Sequence, residues 1–151
     1  MYTNTIEIAL LQVAIRRLVI DTFKRVLLDY PQATHLCIIA HTSNYNDGDV
    51  PCTHFSTLLL ASEEISETHI ENAFIARNNL DYNYPDLIEQ MKLFGLVYTQ
   101  TQPDKFRPAD VKIDRTLCRM LDAENHWQNE RCYVITKDDV ATLHTDCYSG
   151  G

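Results

Sequence analysis

The chain has 151 residues, 45% of them hydrophobic, and carries 21 acidic against 13 basic side chains for a formal net charge of −8. That length supports one domain with a full core and is too short to argue for two. The charge argues against broad, direct binding to nucleic-acid phosphates and favours a basic partner, while five cysteines, an odd number scattered at 37, 52, 118, 132 and 147, do not make a secreted disulfide framework and point to a reducing, cytoplasmic setting.

Residues 5–30 read as one long helix. Asn4 offers an N-cap with Glu7 as its capping-box partner, and Pro31 ends the pattern. Glu7, Arg17, Asp21, Lys24 and Arg25 fall on one narrow arc. Ile8, Leu11, Ile15, Leu18, Val19, Phe23 and Val26 form an apolar face, which Ala9, Val13, Ile20 and Leu27 widen. So wide a face predicts a helix buried on most of its circumference, either wrapped by its own domain or shared with a second copy; a homo-oligomer through helix 5–30 is therefore expected. Gln12, Arg16, Arg17 and Asp21 interrupt the apolar runs well short of the roughly twenty residues a bilayer span needs, so the expectation is a soluble chain with no membrane contact.

Thr34–Thr42 and Cys52–Ala61 are rich in β-branched and apolar residues and flank the turn-forming run SNYNDGDVP, which predicts two strands and a loop. Alternation puts Leu36, Ile38 and Ala40 on one face of the first strand and His35, Cys37, Ile39 and His41 on the other. Ser62 or Ser66 caps a helix with Ile70, Ala73, Phe74 and Arg77 in period, running to Asn78 and Asn79. A further helix carries Pro85 and Asp86 in its first turn, buries Ile88, Met91 and Leu93 or Phe94, and stops at Gly95.

LVYTQT is a strand, and QPDKFRP, with two prolines and no period, is a surface loop. Ile113, Leu117, Met120 and Leu121 predict a helix over 109–125 with a basic outer face, and RCYVI a short strand. Thr136 and Asp139 resemble a helix start for DDVATLH, with a hairpin turning at 137–139 as the competing reading. Ser149–Gly151 is expected to fray. Together these elements give a single α+β domain over 1–151: a long N-terminal helix packed on a small antiparallel sheet containing the hairpin, with three or four further helices.

The densest set of potential ligands is His35, Cys37, His41, Cys52 and His54, where zinc or iron bound across the strand pair is conceivable. Their spacing follows neither CxxC pairs nor HExxH, and buried cysteines and satisfied histidines are the commoner case, so no metal or other cofactor is expected. The loop Asn44–Asp49 lacks the closing glutamate of an EF-hand. No P-loop, GxGxxG or GxSxG pattern occurs.

His41-Thr42-Ser43 and His54-Phe55-Ser56 each set a hydroxyl two residues after a histidine. The pair resembles the His-x-Ser/Thr motifs of the two-histidine (2H) phosphoesterases, in which the histidines serve as acid and base and the hydroxyls hold the phosphate. It departs from that family in spacing, because the family places its two motifs in separate halves of the chain. His144-Thr145-Asp146 lies at a more suitable distance from His54 but lacks the second hydroxyl. A hydrolytic reading thus rests on His41, Ser43, His54, Ser56 and His144.

Charge distribution carries the first reading. Between Ser62 and Gln90 stand Glu63, Glu64, Glu67, Glu71, Asp81, Asp86 and Glu89 against Arg77 alone, with Tyr82 and Tyr84 among them, a composition suited to protein contacts. The expectation is a binding or inhibitory module rather than an enzyme. Glu63, Glu67, Glu71, Tyr82, Tyr84, Asp86 and Glu89 would meet a basic protein, such as one whose nucleic-acid site they occupy. Three alternatives stand beside it: a small hydrolase or metal-binding protein, a structural subunit of a homo-oligomer, and an internal role in which the acids face Lys112, Arg115 and Arg119 of the later helix.

Overall fold

The first helix, α1 (Tyr2–Asp29), runs for 28 residues, on the order of 40 Å at 1.5 Å per residue. The computed structural model describes residues 2–42, 53–79, 87–123 and 130–144, with side-chain detail between 7 and 143 of these. Asn4 lies inside α1 and does not cap it; once a helix is nucleated each added residue contributes one hydrogen bond, and no Gly or Pro upstream opposes its extension. At the other end Pro31 enforces the exit, and Ala33 closes a turn onto the Tyr30 carbonyl.

After the turn come β1 (His35–Thr42) and β2 (Thr53–Leu60), then α2 (Glu67–Asn79), α3 (Leu87–Leu93), β3 (Tyr98–Gln102), β4 (Lys105–Pro108), α4 (Arg115–Asp122), β5 (Glu130–Ile135) and β6 (Val140–His144). The architecture is α+β, with four helices among the described residues. One antiparallel sheet has the order β2-β1-β5-β6, and β3 and β4 form a separate two-stranded ribbon.

Alternation along β1 divides the apolar residues between the two sheet faces as the sequence implies. Leu36, Ile38 and Ala40, with Tyr133 and Ile135 of β5, pack against Ile15, Val19 and Phe23 of α1 and Cys118 and Leu121 of α4. Cys37 and Ile39, with Cys132 and Val134, pack against Ile70 and Ala73 of α2 and Leu87 and Met91 of α3. Helices therefore cover both faces, which explains why β1 and β5 read as nearly continuous apolar runs rather than as alternating ones.

Several sequence expectations shift. QPDKFRP is not a plain loop, because Thr99 pairs with Arg107 and Gln100 with Phe106 across the β3–β4 ribbon; Pro108 ends the ribbon, where its missing N–H costs nothing. The 109–125 helix shortens to α4 because Asp114 caps it, its carboxylate accepting from the Thr116 N–H at 2.8 Å. Residues 137–139 form the hairpin turn between β5 and β6, the Thr136 hydroxyl accepting from the Asp139 N–H. Ser66 is the cap of α2, its hydroxyl accepting from the His69 N–H, and Gly95 ends the turn after α3 at φ 69°, a left-handed conformation open to glycine.

The largest departure concerns α1. Among the described side chains of α1, those of residues 7–29, Ile15, Val19 and Phe23 are buried, while Ile8, Leu10, Leu11, Val13 and Leu18 stay about half exposed or more and Leu28 is 82% exposed. The helix is not buried on most of its circumference. An eight-residue strand such as β1 spans about 27 Å, so a helix on the order of 40 Å outruns the sheet it crosses.

Candidate functional site

β2 is an edge strand, and the cross-strand register places His54 directly opposite His41 of β1, with Glu130 of β5 opposite His41 on its other side. The three lie in one row on the α2–α3 face of the sheet. Glu130 is buried, with its side chain 1% exposed, whereas His41 is 42% exposed; His41 Nδ1 and Glu130 Oε1 are 3.0 Å apart. A buried carboxylate orients the imidazole and leaves Nε2 for a ligand or a proton. Among the described residues no hydroxyl hydrogen-bonds to either ring. Ser43 and Cys52 lie outside the described residues, as does the side chain of His144.

Of the ligand set suggested by composition, the register brings His41 and His54 together, and Cys52 lies outside the described residues. His35 and His41 stand six residues apart on β1, about 20 Å, and no group of three metal-binding side chains forms among the described residues. Cys37 is fully buried, and its thiol is pushed well above the usual range by a hydrogen bond to Cys132 and by burial. It is thus held in the form that binds metal poorly. His35 hydrogen-bonds the neighbouring Thr34 hydroxyl. Its pKa is lowered by burial and by His69.

The acids of the central segment divide between helices and their approaches. Glu63, Glu64, Glu67 and Glu89 are exposed and Glu71 half-buried, while Tyr82, Tyr84 and Asp86 lie outside the described residues. Lys112, Arg115 and Arg119 belong to α4 and its approach, on the opposite sheet face from α2 and α3. Among the described residues no acid of 63–89 pairs with Lys112, Arg115 or Arg119, and the ion pairs are His41–Glu130 and Arg131–Asp122; Asp81 and Asp86 lie outside the described residues.

Beside residues 54–57 of β2 lies a cleft of about 810 Å³, bounded by β2, the end of α2, the end of β4 and the approach to α4. Among the described residues four cations line it, Arg77, Arg107, Lys112 and Arg115, with His54, Ser56 and Asn78, and one carboxylate, Asp110. Phe55, Val111 and Ile113 supply an apolar part. Arg77 donates to the Thr57 carbonyl and lies over the Phe74 ring, whereas Arg107, Lys112 and Arg115 are exposed. The sequence contains a signal for this site that charge totals conceal: KFRPADVKIDR carries four bases within eleven residues. Glu130 has no such signal, since only strand pairing brings it to His41. Compared with known proteins, the chain matches no family model, no curated sequence and no solved structure.

Proposed function

We propose that this protein is a binding module whose acidic α2–α3 side engages a partner with a basic surface. The supporting observation is that Glu63, Glu64, Glu67 and Glu89 are exposed and find no basic partner among the described residues, while the bases of α4 lie across the sheet. Like charges gathered without internal compensation raise the folded state's self-repulsion, which a basic partner relieves. The test compares proteins recovered from cell extract with wild type and with Glu63→Lys, Glu67→Lys and Glu71→Lys combined. A lysine- and arginine-rich partner should be lost from the variant, with stability changed by less than about 0.5 kcal/mol per exposed site. Retention of the same partners, or earlier melting with binding intact, would assign the acids to the fold.

A second reading, self-association, is favoured by the exposed apolar turns of α1. Glu7, Leu11, Ala14, Leu18 and Arg25 follow helical spacing along one side of α1. An antiparallel second copy sets the Glu7 end of one helix against the Arg25 end of the other, and a two-fold axis repeats that match.

A further inference from the structure

The cleft beside β2 has the size and the divided lining of a small-molecule site. Its volume of about 810 Å³ falls in the range of roughly 300–1,000 Å³ typical of such sites. Four of the chain's 13 Lys and Arg residues line it, and among the described lining residues Asp110 is the one carboxylate. Three of the four, Arg107, Lys112 and Arg115, make no side-chain hydrogen bond or ion pair among the described residues. Low-dielectric walls concentrate their field within the cleft, although the molecule as a whole is strongly negative. That contrast selects by size. An extended polyanion reaching beyond the cleft would meet the repulsion of a body with a formal charge of −8, whereas a compact one keeps its charge among the bases. Phe55, Val111 and Ile113 next to the bases ask for an apolar or ring-bearing part on the same molecule.

We infer that this cleft binds a small molecule of the nucleotide class, a short polyphosphate carried on a ring system. Arg107, Lys112 and Arg115 neutralise the phosphates, and the apolar wall covers the ring. Arg77, already held by the Thr57 carbonyl, adds a fixed positive charge at the α2 end.

Calorimetric titration of the full chain with ATP, sodium tripolyphosphate and AMP, in chelator and low salt, tests this directly. ATP should saturate one site, with tripolyphosphate and AMP each weaker by about tenfold or more. Combining Arg107→Gln, Lys112→Gln and Arg115→Gln should weaken ATP by at least about tenfold. Arg17→Gln, Lys24→Gln and Lys92→Gln together, which remove equal charge from the surface elsewhere, should leave it within about twofold. In the unsubstituted chain ATP should shield Lys112, but not Lys24, from amine acetylation, a readout that does not depend on any variant folding. The inference is overturned by absence of saturation up to about 1 mM, by equal losses in the two triple variants, by tripolyphosphate matching ATP, or by a single-stranded oligonucleotide binding more tightly than ATP.

Discussion

Arg131, fully buried, donates from Nε to Asp122 Oδ1 at 2.8 Å and from Nη2 to Oδ2 of the same carboxylate. The Tyr133 hydroxyl donates to that carboxylate too, and Arg131 Nη1 reaches the Thr42 hydroxyl, which in turn bonds Thr53. One network thus ties the end of α4 to β5, β1 and β2. Removing one member leaves an uncompensated charge in a dry site, so Asp122→Ala should cost about 3–5 kcal/mol in urea denaturation. Asp122→Leu combined with Arg131→Met, which removes both charges, should recover most of that loss. A single-variant cost below about 1 kcal/mol would mean that the guanidinium finds other compensation.

Phe23 is fully buried between α1 and the sheet. Its replacement by alanine loses transfer energy and leaves a cavity, so unfolding stability should fall by about 3–5 kcal/mol. A fall below about 1 kcal/mol would show that neighbouring side chains collapse into the space.

The exposed turns of α1 lead to a prediction about assembly. Light scattering at tens of micromolar should give twice the chain mass, and Leu11→Glu with Leu18→Glu should return the protein to a monomer without lowering its melting temperature when dilute. At about 1.5–3 kcal/mol per fully buried large apolar side chain, covering both residues on both copies is a substantial gain. A wild-type monomer under those conditions would remove the self-association reading.

Two groups set opposite pH limbs. Burial, then Asp114 and Asp122, push the Cys118 thiol from 9.0 up to about 11. Between those values the unfolded chain has lost a proton that the folded chain keeps, so stability falls as pH rises from about 9 to 11. Cys118→Ala should flatten that part of the profile relative to wild type. His35 has its pKa lowered by burial and by His69 from 6.5. The unfolded chain therefore takes up a proton first as pH falls through that region, and stability is lost there; His35→Gln should remove this acid-side contribution. Denaturation midpoints across the two ranges check both signs.

The elements carried by local periodicity were legible in the sequence: the end of α1 before Pro31, the β1 face alternation, a start of α2 at Ser62 or Ser66, of which Ser66 is the cap, its end at Asn79, and the Gly95 stop. Tertiary features were not. The width of the α1 apolar face indicated burial, yet Leu18 is exposed beside the buried Ile15 and Val19 because one narrow side of the helix, that of Ile15, Val19 and Phe23, meets the sheet, a restriction that no single sequence window contains. The β3–β4 ribbon was concealed by its prolines, since Pro108 sits at a strand end where the usual penalty vanishes. Site residues divide in the same way. Lys112 and Arg115 were visible as a basic helix face, but their meeting with Arg77 and Arg107 around β2, and of Glu130 with His41, depends on pairings between distant segments.

The position of β1 at the centre of the sheet has a consequence for biosynthesis. Its partner on one side, β2, follows closely, but on the other side Leu36 pairs with Ile135 and His41 with Glu130. At roughly 5–20 residues per second, a ribosome completes the β1–β2 hairpin about 4–15 s before β5 is made. Through that interval the inner edge of β1 is unpaired, with Leu36, Ile38 and Ala40 on one face and Cys37 and Ile39 on the other. Such an edge is a template for any other extended chain nearby. The nascent protein therefore passes through a stage in which its most apolar strand depends on α1, already synthesised, or on a chaperone for cover.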